Sequence, residues 1–157
     1  MDYKDRKIDI IGRVERVSFP EIIQDSLHAR VDTGAQTSSI WAKATEKNGE
    51  LHVVFFGPEH PAYSGKVIVY KEFTDVIVAS STGHTQHRYK VRILININGR
   101  LIRARFTLAD RSTQVYPVLI GRNILKGKFV VDVDKGHPLI TEEKKRSKKL
   151  QAKLEEK

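Results

Sequence analysis

The chain has 157 residues, 39% of them hydrophobic and 30% charged, which fits one globular domain large enough to bury its own core. It contains no cysteine, which excludes disulfides and thiolate metal sites and leads us to expect a cytoplasmic location; no apolar run or N-terminal segment suits a membrane span or a signal peptide, so no membrane association is expected. The net charge of +9 divides into +3 from residues 142–157 and +6 from the rest, a balance that attracts anionic partners at long range.

In chain order, Ile8 to Val17 predicts a strand, with Ile8, Ile10, Gly12, Val14 and Arg16 on one face and Ile11 and Val17 on the other, broken by Pro20. Leu27 to Val31 predicts a short strand delivering Asp32 at its end, and Ser38 to Ala42 a second extended piece or a turn. Leu51 to Phe56 is strand-like and stops at Gly57-Pro58, opening a loop that runs to Gly65. Lys66 to Ala79 is extended again, and the polar residues 80–86 predict a hairpin tip. His87 to Ile97 and Leu101 to Ala109, joined by Asn98-Gly99, form the clearest hairpin. Arg88, Lys90, Arg92, Arg103 and Arg105 fall on its outer face, opposite Tyr89, Val91, Ile93, Ile102, Ala104, Phe106 and Leu108. Pro117 to Ile120 reads as a buried strand, Asn123 to Lys126 as a helical turn, and Phe129 to Val133 as a last strand.

Many short strands with frequent turns predict a mostly β protein, a closed barrel of short antiparallel strands with one short helix near residues 121–126. After Thr141 the composition changes to Lys, Glu, Gln and Ala, with Leu150 and Leu154 as an i,i+4 pair. Residues 1–140 are therefore expected to form the domain and 141–157 a basic, flexible or frayed-helical tail.

The chemistry is carried by Asp32-Thr33-Gly34 and by Gly121-Arg122-Asn123. Hydrolysing an amide requires one group to deprotonate water while another protonates the carbonyl oxygen or the leaving nitrogen. Two carboxylates about 3 Å apart, sharing one proton, perform both tasks. A rigid turn must hold each of them, and Gly34 lets backbone approach without a Cβ in the way. The chain has no second Asp-Thr-Gly or Asp-Ser-Gly, so it carries one half of such a pair.

Asp32-Thr33-Gly34-Ala35 with Ser38 and Ser39, followed by Ile120-Gly121-Arg122-Asn123-Ile124-Leu125, resembles the retropepsin pattern of retroviral aspartic proteases. A closer resemblance is to a bacterial and archaeal family named ATP-dependent zinc proteases. It rests on Ile11-Gly12 with Glu15 and Pro20, on residues 29–35, on Ser80-Ser81 with Gly83 and Arg88, and on residues 119–122 followed by Leu125, Gly127 and 129–132. The resemblance implies a retropepsin-like fold and a homodimeric aspartic endopeptidase acting on peptide or protein, with two Asp32 carboxylates meeting on the two-fold axis. It implies that Thr33 and Gly34 hold the catalytic loop and that Gly121, Arg122 and Asn123 brace it from behind. Ala35 and the tip residues Ser80, Ser81, Thr82, Gly83 and His84 would contact substrate, the tip acting as a flap. Gln36-Thr37 stand where retroviral enzymes commonly carry acidic residues.

Neither zinc nor ATP is supported by the residues: there is no His-Glu-x-x-His, no cysteine and no phosphate-binding glycine motif, so no metal or other cofactor is expected. Two alternatives accompany the peptidase. One is a non-catalytic binding module on the same fold, using the basic hairpin face and the 144–149 run for an acidic protein or nucleic acid; nucleic acid is disfavoured because Tyr89 and Phe106 fall on the apolar faces. The other is an accessory protein to an amino-acid ligase.

Overall fold

A computed structural model describes residues 7–79 and 82–156; Ser80 and Ser81 lie outside the described residues. Among the described residues eleven strands are followed or interrupted by two helices: β1 (Asp9–Ile11), β2 (Val14–Phe19), β3 (Ile23–Val31), β4 (Ser38–Lys47), β5 (Glu50–Phe55), β6 (Val67–Tyr70), β7 (Thr74–Ala79), β8 (Thr85–Ile97), β9 (Arg100–Ala109), β10 (Val118–Ile120), α1 (Arg122–Leu125), β11 (Phe129–Val131) and α2 (Ile140–Glu155).

Alternating burial closes the barrel. Strands β10, β3, β2, β8, β9 and β4 pair in that order, and β4 returns to β10, giving a six-stranded ring. Its interior is filled by residues such as Phe19, Ile40, Ile93, Ile95, Phe106 and Ile120, all essentially inaccessible to solvent. Phe19 and Phe106 meet edge to face, with ring centroids 5.7 Å apart. The expected closed β barrel is present, but its ring is not wholly antiparallel. β10 runs parallel to β3 and β4 runs parallel to β9. Such pairs are made by long crossover connections, so no local pattern announces them.

The Asn98-Gly99 hairpin forms as expected, with both residues at positive φ, and β8 and β9 bury Val91, Ile93, Ile102 and Ala104 while turning Arg92, Arg103 and Arg105 outward. A second Asn-Gly turn, Asn48-Gly49, joins β4 to β5 with the same positive φ signature. That hairpin continues β4 well past Ala42, to Lys47.

The first predicted strand is interrupted. Between β1 and β2, Gly12 and Arg13 leave the ladder, and β1 pairs with β11 in a separate two-stranded sheet. Ile11, Val14 and Val17 are consequently all buried, whereas Ile10 is exposed, so the single alternation expected over Ile8 to Val17 does not hold. The cause is local. Glu15, a buried carboxylate, accepts the Gly12 amide at 2.6 Å, and a Cβ on Gly12 would collide with the backbone of Lys135 and Gly136.

Beyond Lys90 toward its N-terminus, β8 leaves the barrel and pairs only with β7. This two-stranded arm exposes Val76 and Ile77 in succession. Across it, His87 Nδ1 lies 2.9 Å from Asp75 Oδ1, and the His87 ring stacks on Tyr89. Residues 140–155 are helical, and the first turn of α2 is tied to the body. Glu143 receives two hydrogen bonds from Arg13 at 3.0 Å and one from the Tyr116 hydroxyl. Among the described residues no helix is long and apolar enough to cross a membrane.

Candidate active site

The Asp32 turn sits where three strands converge. β10 lies between β3 and β4, with Ile120 opposite Val31 and Val118 opposite Ile40. The Asp32 amide continues this ladder by donating to the Ile120 carbonyl at 2.9 Å. The chain then turns: the Ala35 amide donates to the Asp32 carbonyl at 3.3 Å, and the Gly34 amide donates to Asp32 Oδ1 at 2.9 Å. An aspartate side chain accepting the amide two residues on is a local lock that fixes its rotamer. A Cβ on Gly34 would stand 3.3 Å from that same oxygen, so glycine keeps the carboxylate uncrowded.

Among the described residues the Gly34 amide is the carboxylate's hydrogen-bond partner, and Asp32 is half-buried while Thr33 and Gly34 are exposed. The Thr33 hydroxyl makes no hydrogen bond among the described residues. The loop thus presents one carboxylate and one hydroxyl to the outside of a single chain.

Behind the loop stands the second sequence block. The Arg122 amide donates to the Ala35 carbonyl at 2.8 Å, and the Asn123 amide to the Gln36 carbonyl at 3.3 Å. Gly121 packs so closely under the turn that a Cβ there would strike the Thr37 carbonyl and lie 2.9 Å from the Ala35 oxygen. The structure therefore brings Asp32, Thr33, Gly34 and Ala35 together with Gly121, Arg122 and Asn123. The Arg122 side chain is exposed and forms no ion pair among the described residues, and Gln36-Thr37 offer no carboxylate.

One residue of this bracket, Ser38, is part of the sequence pattern but has no role assigned to it there. Ser38 is fully buried; its hydroxyl accepts the Gly121 amide at 2.9 Å and donates to Asn123 Oδ1 at 2.7 Å. Asn123 Nδ2 in turn donates to the Arg105 carbonyl at 3.0 Å, extending the network to β9. The available signal was a serine at the start of an otherwise apolar strand, where a buried hydroxyl requires a partner.

Thr82, Gly83 and His84 lie in the tip joining β7 to β8, on a different element from the Asp32 loop; Ser80 and Ser81 fall outside the described residues. Among the described residues no three His, Asp or Glu side chains are grouped to hold a metal ion.

Comparison with known proteins adds three findings. A family profile described as "RimB-like: Retropepsin-like aspartic endopeptidase RimB" matches residues 10–142. Proteins named probable alpha-L-glutamate ligase from Shewanella pealeana and Shewanella halifaxensis are 32% and 33% identical over 130 residues. Each match covers 78% of this chain and 28% of the relative, so the chain spans little more than a quarter of those proteins. A crystal structure of a Legionella pneumophila protein of unknown function shares the fold, with a TM-score of 0.61 at 23% identity, covering 82% of this chain and 95% of that one.

Proposed function

The chain belongs to the RimB-like family of retropepsin-like aspartic endopeptidases, and from that premise we propose that it hydrolyses peptide bonds as a homodimer with one Asp32 from each copy. The observation that carries this reading is the loop itself: an outward-facing carboxylate, locked by the Gly34 amide and braced by Gly121 to Asn123. In the proposed reaction one Asp32 takes a proton from water as its oxygen adds to the peptide carbonyl carbon, while the other gives its proton to the carbonyl oxygen. The tetrahedral adduct then collapses, the C–N bond breaks, and a carboxyl proton passes to the leaving nitrogen. Thr33 and Gly34 hold the loop, Ala35 lines the substrate path, and residues 82–87 of the β7–β8 arm cover the peptide. The basic body and the naming of relatives as glutamate ligases favour a glutamate-rich peptide as substrate.

The test pairs cleavage with assembly. Asp32→Asn is nearly isosteric, so its circular dichroism should match wild type while peptide cleavage, followed by mass spectrometry, disappears. Chelators should leave wild-type cleavage unchanged. In sedimentation at neutral pH the variant should dimerise better than wild type, because two facing carboxylates no longer repel; dimerisation no better than wild type would mean that the two aspartates do not face each other. Cleavage that survives Asp32→Asn, or that stops with chelator and returns with zinc, would end the proposal.

A second reading has one observation in its favour. Arg92 and Arg105 are directly opposite on neighbouring strands of the outer face, a like-charge pairing that is unfavourable until an anion covers it. On that reading the domain is a non-catalytic module for an acidic protein, working beside a ligase. Tight binding of such a partner, unaffected by Asp32→Asn in a protein that cleaves nothing, would favour it.

A further inference from the structure

On the outer wall of the barrel, where the segment before β10 meets α2, a cavity of about 230 Å³ gathers Arg13, Arg30, Arg111 and Arg146 around the one carboxylate of Glu143. That carboxylate is already committed: Arg13 grips it with both terminal nitrogens at 3.0 Å, and Tyr116 donates to it as well. The other three guanidinium groups make no hydrogen bond or ion pair to a carboxylate among the described residues, although Arg30 is near enough to Glu143 to favour its charged form. Arg111 is partly buried and donates its Nε to the Tyr116 carbonyl at 2.9 Å; Arg146, on α2, donates its Nε to the Thr113 carbonyl at 3.0 Å. These bonds fix the two side chains through the nitrogen least needed for a fork, leaving the terminal nitrogens available. Arg30 comes from β3 and forms no ion pair or hydrogen bond through its side chain among the described residues.

Several cations held together around a cavity repel one another, and a partly buried guanidinium has lost hydration without gaining a carboxylate. The proximity of Arg30 and the burial of Arg111 both act to lower the Arg111 pKa, burial more strongly. An arrangement this unfavourable when empty becomes favourable once a compact anion supplies several acceptor oxygens, because planar guanidinium forks match carboxylate and phosphoryl groups in both charge and geometry.

We propose that Arg30, Arg111 and Arg146 form a binding site for a small oxyanion, a phosphoryl or carboxylate group, that bridges β3, the segment after β9 and α2. Glu143 on Arg13 shows in miniature how the wall accepts such a group. Arg30 lies on β3 two residues before Asp32, which follows the end of that strand, so an occupant would anchor α2 to the strand that leads into the Asp32 loop. The proposal does not depend on proteolysis.

The test uses the full chain in its Asp32→Asn form as well as wild type, so that turnover plays no part. Thermal unfolding is followed by circular dichroism with inorganic phosphate, with glutarate, and with chloride at matched ionic strength. Occupancy at about ten times the Kd should raise Tm by about 3–5 °C over chloride. Arg30→Gln, which breaks no internal bond, should lose that increment, whereas Arg88→Gln on the outer hairpin should keep it. Arg111→Gln should lose it too, but if that variant fails to fold through loss of its bond to Tyr116, Arg30→Gln decides alone. A shift with phosphate only assigns a phosphoryl ligand, and a shift with glutarate assigns a carboxylate. No shift with either anion overturns the site. An equal shift in Arg30→Gln also overturns it, since the effect would then be the general stabilisation that phosphate gives any folded protein.

Discussion

The hydroxyl of Ser38 donates to Oδ1 of Asn123 at 2.7 Å, joining the start of β4 to the helix behind the Asp32 loop across 85 residues of chain. The same hydroxyl accepts the Gly121 amide, so one buried oxygen serves both sides of the bracket. Replacing it should do more harm than its size suggests.

Ser38→Ala leaves the Gly121 amide buried and without its acceptor, and removes a donor from Asn123. The expected cost is about 1–3 kcal/mol. Urea unfolding should show the midpoint falling with an unchanged slope. A variant as stable as wild type would mean that the network carries no net energy.

Gly121→Ala acts on the same bracket by collision. The added methyl meets backbone carbonyls, which cannot rotate away as a side chain could. The variant should lose about 1–3 kcal/mol or more, and amide exchange should rise at Ala35 to Ser38 before the rest of the barrel responds. Exchange unchanged in that segment would refute the close approach of the two loops.

Phe106→Ala tests the barrel interior. Phe106 is fully buried and packs edge to face against Phe19. The truncation should cost about 3–5 kcal/mol, read as a lowered urea midpoint.

The α2 anchor should respond to pH at both extremes. Arg13 hydrogen bonding holds the Glu143 carboxyl below its usual range, despite an opposing effect of burial. A lowered carboxyl pKa gives stability that is complete above the unfolded value and lost as pH falls through the folded one. Amide exchange at the start of α2 should therefore accelerate in acid below the ordinary glutamate range, and Glu143→Gln should remove that dependence. Tyr116 behaves with the opposite sign. Burial first, then its bond to Glu143, pushes it up to about 12, so its contribution is complete below pH 10 and lost between there and about 12. In ultraviolet titration Tyr116 and Tyr70, also pushed up to about 12 by burial, should ionise late; Tyr116→Phe should remove one late step.

Much of the barrel could be read from residues taken two at a time. The alternation in β8 and β9 and the Asn98-Gly99 turn are local signals, and each names its own partner. Asn48-Gly49 carried the same signal, and it marks the hairpin that lengthens β4. What stayed hidden depends on distant chain. The break at Gly12 follows from Lys135 and Gly136 passing close by, and the parallel pairing of β3 with β10 joins segments that share no local pattern. At the site, Asp32 to Ala35 and Gly121 to Asn123 were visible because glycine positions mark tight turns. Ser38 was visible in the pattern, but its bridging role was not legible until its two partners were in place. The first turn of α2 gave little warning either, because its attachment is one glutamate meeting an arginine and a tyrosine from elsewhere in the chain.

Lys90 faces Thr74 of β7 on one side and Thr107 of β9 on the other, the point at which β8 passes from barrel to arm. β8 is unbroken there, so on that side the arm has no loop on which to swing, and the irregular residues 71–73 lie only at the entry to β7. Any closing of its tip must come from flexing the ribbon itself, with the restoring force rising with the angle. In the proposed role over a peptide, such an arm would behave as a leaf spring rather than a door on a pin.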